Sequence, residues 1–199
     1  FTYEPTAAVD LAVGVTPNGL PRQAPGLRPD NAPICPFVAS NNGPAFVSLR
    51  GGGLFMVDWQ ATPMSIVGEY DAATVPANGC GFIEAKGWVF ADGGGGTANN
   101  LDSFAVYRFP MTGYSAANPP NVPARQMLYE DQETHHRDAH GPAVTKDERY
   151  TWIFDRGANV AEVFDSASGE RVNTVDLVSP FSDDPTVDLV GESPDRKFF

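Results

Sequence analysis

The stretch from His140 to Leu177 is one repeat unit, in which short apolar runs alternate with polar turns at Lys146-Asp-Glu-Arg149, Arg156-Gly-Ala-Asn159 and Asp165-Ser-Ala-Ser-Gly-Glu170. Runs of this length, rich in Val, Phe, Tyr and Trp and bounded by Gly, Asp and Asn, form strands rather than helices. The opening of a similar unit follows in Asp188-Leu-Val-Gly-Glu-Ser-Pro-Asp-Arg-Lys-Phe-Phe199. A small antiparallel unit of this kind cannot bury both of its faces alone, so it has to stack on copies of itself.

Two earlier copies align with it. The first runs through Ile34-Cys-Pro-Phe-Val-Ala39, Ala45-Phe-Val-Ser-Leu49, Leu54-Phe-Met-Val-Asp58 and Ser65-Ile-Val-Gly-Glu-Tyr70. The second runs through Asn78-Gly-Cys-Gly-Phe-Ile-Glu-Ala85, a tight Lys86-Gly87 turn, Trp88-Val-Phe-Ala91, Ser103-Phe-Ala-Val-Tyr-Arg-Phe109 and Gln126-Met-Leu-Tyr129. Arg50-Gly51 matches Arg156-Gly157, and Val57-Asp58 matches Phe164-Asp165. The opening residues Cys35, Cys80, His140 and Asp188 recur roughly 45, 60 and 48 residues apart, close to the length of a propeller blade. The expected fold is therefore all-β, a β-propeller of four-stranded antiparallel blades that is incomplete in this chain. Residues 1–31 form an irregular segment with a remnant of a preceding blade, in which Val9-Asp-Leu-Ala-Val-Gly-Val15 reads as a strand. Blades follow at about 32–76, 77–131 and 132–180, with a truncated one at 181–199. The long middle interval comes from loops, Asp92 to Asn100 and the Pro-rich 110–123, and irregular loops are where such folds usually carry function.

Composition narrows the function. A net charge of −12 with only three lysines, Lys86, Lys146 and Lys197, leaves no basic face for nucleic acid. No apolar run is long enough for a membrane-spanning helix. The chain begins at Phe1 with no initiator Met, which reads as a mature or incomplete product.

The short strands, the Ser193-Pro-Asp-Arg-Lys197 turn and the Asp165-x-x-Ser-Gly-Glu170 turn resemble the YVTN-type repeat of seven-bladed, lactonase-like propellers, from about Asn31 to Phe199. The resemblance implies a bacterial, exported protein of the periplasm or extracellular space. Relatives of this kind include sugar-lactone hydrolases and propeller domains of copper and quinone-linked redox enzymes, so fold alone does not deliver an activity. The glycine run at 93–96 and the Pro-rich insertion depart from the repeat. A partial ring also implies missing blades, from the rest of the chain or from a partner.

Several residues carry candidate chemistry. His135-His-Arg-Asp-Ala-His140 holds every histidine of the chain. In an extended segment His136, Asp138 and His140 share a face, a donor set suited to zinc, copper, iron or manganese, and the bland alternative is backbone capping or pairing with Arg137. Cys35 and Cys80 occupy matching positions in consecutive opening strands, and three readings stay open for them. They form a disulfide, remain buried thiols, or join His140 and Asp188 as metal ligands. The oxygen-rich loop from Asp92 to Asp102 is a plain connection before it is a calcium site, because it lacks the helix–loop–helix spacing. Asp58 and Asp165 are expected to cap the turns after each third strand, and Arg50 and Arg156 to pack between blades or pair with acids.

No Gly-x-Ser-x-Gly elbow and no His-Glu-x-x-His pair occur. The leading expectation is an exported binding or scaffolding module for a protein, a cell-envelope component or a small ligand. The alternative is a metal-dependent hydrolase or oxidoreductase with its site at the channel mouth, the metal on His136, Asp138 and His140 and Asp188 as ligand or general base.

Overall fold

The computed structural model describes residues 7–9, 33–40, 42–49, 52–75, 80–94, 104–117, 119–131 and 137–177. They form three four-stranded antiparallel sheets, each with its strands in chain order. The first contains β1 (Pro33–Val38), β2 (Ala45–Leu49), β3 (Leu54–Asp58) and β4 (Ser65–Tyr70). The second contains β5 (Phe82–Ala85), β6 (Trp88–Gly94), β7 (Phe104–Pro110) and β8 (Gln126–Asp131). The third contains β9 (Ala139–Val144), β10 (Tyr150–Asp155), β11 (Val160–Asp165) and β12 (Arg171–Asp176). These are blades 1, 2 and 3. The strand expected at 9–15 lies outside the described residues except for Val9, as does the truncated blade at 181–199.

Turn chemistry fixes the strand ends. Lys86 and Gly87 both have positive φ (51° and 80°), the geometry of a two-residue hairpin whose twist matches its strands. Asp58 Oδ1 accepts the Gln60 and Ala61 N–H groups at 3.0 and 3.1 Å, and Asp165 Oδ1 accepts those of Ala167 and Ser168 at 3.1 and 2.9 Å. Both aspartates thus cap the turn after a third strand. One expectation is corrected: the loop read from Asp92 begins later, because Asp92, Gly93 and Gly94 continue β6 opposite Val106, Ala105 and Phe104. The apolar start of β7 supplies a ladder partner that outweighs the low strand propensity of glycine.

Alternation along each strand gives every blade two apolar faces, and the blades stack through them. Phe46, Leu54, Met56 and Tyr70 of blade 1 pack with Val89, Tyr107 and Phe109 of blade 2. Phe104 and Val106 of blade 2 pack with Ala139, Ile153 and Phe164 of blade 3. Along β10, Ile153 joins that seam, whereas Phe154 joins Ala143, Ala161 and Trp152 on the opposite face of blade 3. On the far side of blade 1, Ala45, Leu49, Phe55, Val57 and Ile66 form a further cluster, against which Val9 packs. Each fully buried Phe or Leu in these seams contributes about 1.5–3 kcal/mol through water exclusion.

Antiparallel order then sorts the loops. The β1–β2 and β3–β4 turns of blade 1 leave from one end of the strands, with the equivalent turns of blades 2 and 3. The second-to-third-strand turns and the links between blades leave from the other end.

Candidate functional site

Of the residues expected at the channel mouth, Cys35, Cys80, Asp138 and His140 are among those described, and they stand at the end where the blades are linked. Cys35, in β1, and Cys80, just ahead of β5, form a disulfide with a Cα–Cα distance of 5.2 Å. Matching positions on neighbouring opening strands come within the 4.4–6.8 Å that the bond requires. The thiolate reading of both cysteines is thereby corrected, since a disulfide sulfur carries no thiolate charge for zinc or copper.

Asp138 is ion-paired with Arg156, as expected for that arginine. The two are also joined through the backbone, Arg156 N–H to Asp138 O at 3.0 Å, and Asp138 N–H donates to Asp155 Oδ1 at 2.9 Å. Arg137 pairs with other acids: Asp131 Oδ2 at 3.1 Å, Glu162 Oε1 at 3.1 Å and Asp155 Oδ2. Its guanidinium also lies 4.5 Å from the Phe104 ring centre. His140 stands on β9, half-buried. His136, Asp188 and Arg50 lie outside the described residues. Among the described residues no group of three His, Cys, Asp or Glu side chains is arranged to hold a metal.

The sequence reading missed one member of this end. Asp92 is 1% exposed, and its Oδ1 accepts the Gly81 N–H at 3.1 Å. Burial pushes its carboxyl up to about 7; the Gly81 hydrogen bond, His140 and the Gly141 amide oppose the rise, and Asp138 adds to it. A Cβ on residue 81 would sit 1.8 Å from Asp92 Oδ2, so only glycine fits opposite this carboxylate. The Gly81 of the Asn78-Gly-Cys-Gly stretch was the available signal. At this end Arg137 and Arg156 are both paired with carboxylates of the protein itself.

The other end carries an open groove of about 380 Å³ between blades 1 and 2. One wall is the pair of blade 1 turns. Trp59 Nε1–H donates to Gly43 O at 3.1 Å and Gln60 Nε2 donates to Asn42 Oδ1 at 3.0 Å, which tie the two turns together. Asn42 takes the left-handed conformation its turn needs, at φ 61°. The other wall is the start of the Pro-rich connection between β7 and β8. That connection is folded back by a two-bond bridge between Ser115 and Asn121 (2.9 and 3.0 Å), and Asn121 Nδ2 bonds Gly113 O.

Val67, Met111 and Tyr114 give the groove apolar lining, and Asn42, Asp58, Gln60 and Thr112 give it polar lining. Tyr114 is fixed edge-on to Phe46, with ring centres 5.8 Å apart, and its hydroxyl is 3.1 Å from that of Tyr70. Burial pushes the Tyr114 hydroxyl far up and that of Tyr70 up to about 12, so both stay neutral. Sequence reading had flagged the 110–123 insertion as irregular and Asp58 as a turn cap, without joining them. Only the stacking of two blades brings residues 58 and 112 to one place.

No family model matches the chain, and no curated protein matches it. Among solved structures it is similar to the β-propeller domain of Cps50 (Swd1) from Myceliophteria thermophila, at 10% identity and a TM-score of 0.54. The match covers 94% of this chain and 54% of that one, so the chain spans about half the length of the propeller it resembles. At that identity the likeness is one of fold. Three face-to-face four-stranded sheets and this likeness together make the chain a β-propeller.

Proposed function

We propose that the chain is a binding module: an exported propeller of the YVTN, lactonase-like type that holds a protein, a cell-envelope component or a small ligand in its groove. The observation that carries this is the groove itself, walled by an insertion absent from the other two blades and cross-braced on both sides before any ligand arrives. Preorganised walls spare a ligand the cost of ordering loops. Placement in the periplasm or outside the cell is supported by the Cys35–Cys80 disulfide, a bond that persists in oxidising compartments. No helix among the described residues is long and apolar enough to cross a membrane. The apolar clusters on the far sides of blades 1 and 3 support seats for further blades, from other sequence or a partner chain.

Thr112→Trp fills the groove from its exposed side. Peptides selected from a random display library on the native protein are expected to lose binding to this variant, while its melting temperature stays unchanged. Equal binding to both proteins would sink the assignment of function to this groove.

A further inference from the structure

We infer that the groove takes a peptide segment through a lysine or arginine side chain, with Asp58 as its counter-ion. The inference rests on the binding-module reading and names the partner's chemistry. Among the described residues that line the groove Asp58 is the one charged side chain, and none is Lys, Arg or His. Its Oδ1 accepts two backbone N–H groups. No basic side chain among the described residues pairs with it. A half-buried carboxylate in this position attracts a cation, and the chain's net charge of −12 steers cations toward it.

The remaining lining suits the rest of such a side chain. Val67, Met111 and Tyr114 offer apolar surface to an aliphatic stem, and the tyrosine ring adds a cation-attracting π surface. Gln60 and Asn42 are primary amides, and Thr112 a hydroxyl, at the groove edge. Amides donate and accept at once, which matches the alternating N–H and C=O groups of a peptide backbone. Trp59, 43% exposed beside Gly43, extends apolar surface past the groove for a neighbouring residue of the segment. A volume of about 380 Å³ accommodates one long side chain with its backbone.

The test is fluorescence anisotropy with labelled Gly-Ala-Lys-Ala-Gly and its norleucine and glutamate counterparts, on native protein, Asp58→Asn and Thr112→Trp. Asparagine keeps the oxygen that caps the turn and removes the charge, so folding is preserved, as melting temperature will verify. The lysine peptide is expected to bind about tenfold more tightly than the norleucine peptide, and the glutamate peptide least. Asp58→Asn should erase that tenfold preference, and added salt should weaken the lysine peptide. Equal binding of lysine and norleucine peptides, an unchanged preference in Asp58→Asn, or competition by cadaverine as effective as the lysine peptide would overturn the inference while leaving the groove reading intact. No binding of any probe would overturn the inference alone, and binding unaffected by Thr112→Trp would overturn both.

Discussion

The two seams between blades are held by different chemistry. Blade 1 meets blade 2 through a covalent bond and an aromatic cluster: Cys35–Cys80 at one end, then Phe46, Tyr70, Tyr107, Phe109 and Tyr114. Blade 2 meets blade 3 through a smaller apolar patch and two buried arginines. Arg137 spans Asp131, Asp155 and Glu162, and Arg108 donates to the carbonyls of Ser166, Ala167 and Ser168 at 3.2, 3.0 and 3.0 Å. A covalent and apolar seam has little for salt to screen. A buried ionic seam depends on every partner staying in place. The groove lies at the first seam, where a binding surface keeps its shape.

The strongest way to break this contrast is to remove a buried charge from the second seam. Arg137→Met keeps bulk but leaves Asp155 (0% exposed) without its cation, and should cost about 3–5 kcal/mol in urea unfolding. The paired Cys35→Ser, Cys80→Ser change opens a link across 45 residues and should cost at most about 4 kcal/mol, and less if the aromatic cluster persists in the unfolded chain. A disulfide loss exceeding the arginine loss would reverse the ranking of the two seams. Gly169→Ala sharpens the comparison further. Its φ is +80° and a Cβ would lie 2.8 Å from both Arg108 Cζ and Leu128 Cδ2, so about 2 kcal/mol should be lost.

The gentlest probe is pH. Asp92 has its carboxyl pushed up to about 7 from the ordinary 3.8, so the fold binds a proton that the unfolded chain has released. Its contribution is therefore complete in acid and is lost as pH rises from about 4 through about 7, with a slope of at most about 1.4 kcal/mol per pH unit. Asp92→Asn should remove that slope, which thermal melts of both proteins across this range will show. Parallel curves would mean that Asp92 is not the titrating group.

Strand positions were legible because they depend on neighbours in sequence. Lys86-Gly87, Asp58 and Asp165 set their turns by local backbone chemistry, and Ile153 and Phe154 separate by strand alternation. The Cys35–Cys80 pairing was legible as one of three readings, since matching repeat positions place the two side by side. The partners of Arg137 were not, because Asp131, Asp155 and Glu162 come from three strands in two blades. Nor was Asp92, whose glycine-rich context reads as loop until β7 supplies a pairing partner. The groove combined a legible insertion with an illegible juxtaposition: residues 58 and 112 meet only after two blades stack.

Hydrogen–deuterium exchange of the full chain, with and without the lysine probe peptide, tests the binding claim most directly. Added protection is expected in the described residues around 42–44, 58–61 and 111–114, absent from Asp58→Asn. Protection at the opposite end, around 137–141, or none at all, would contradict it.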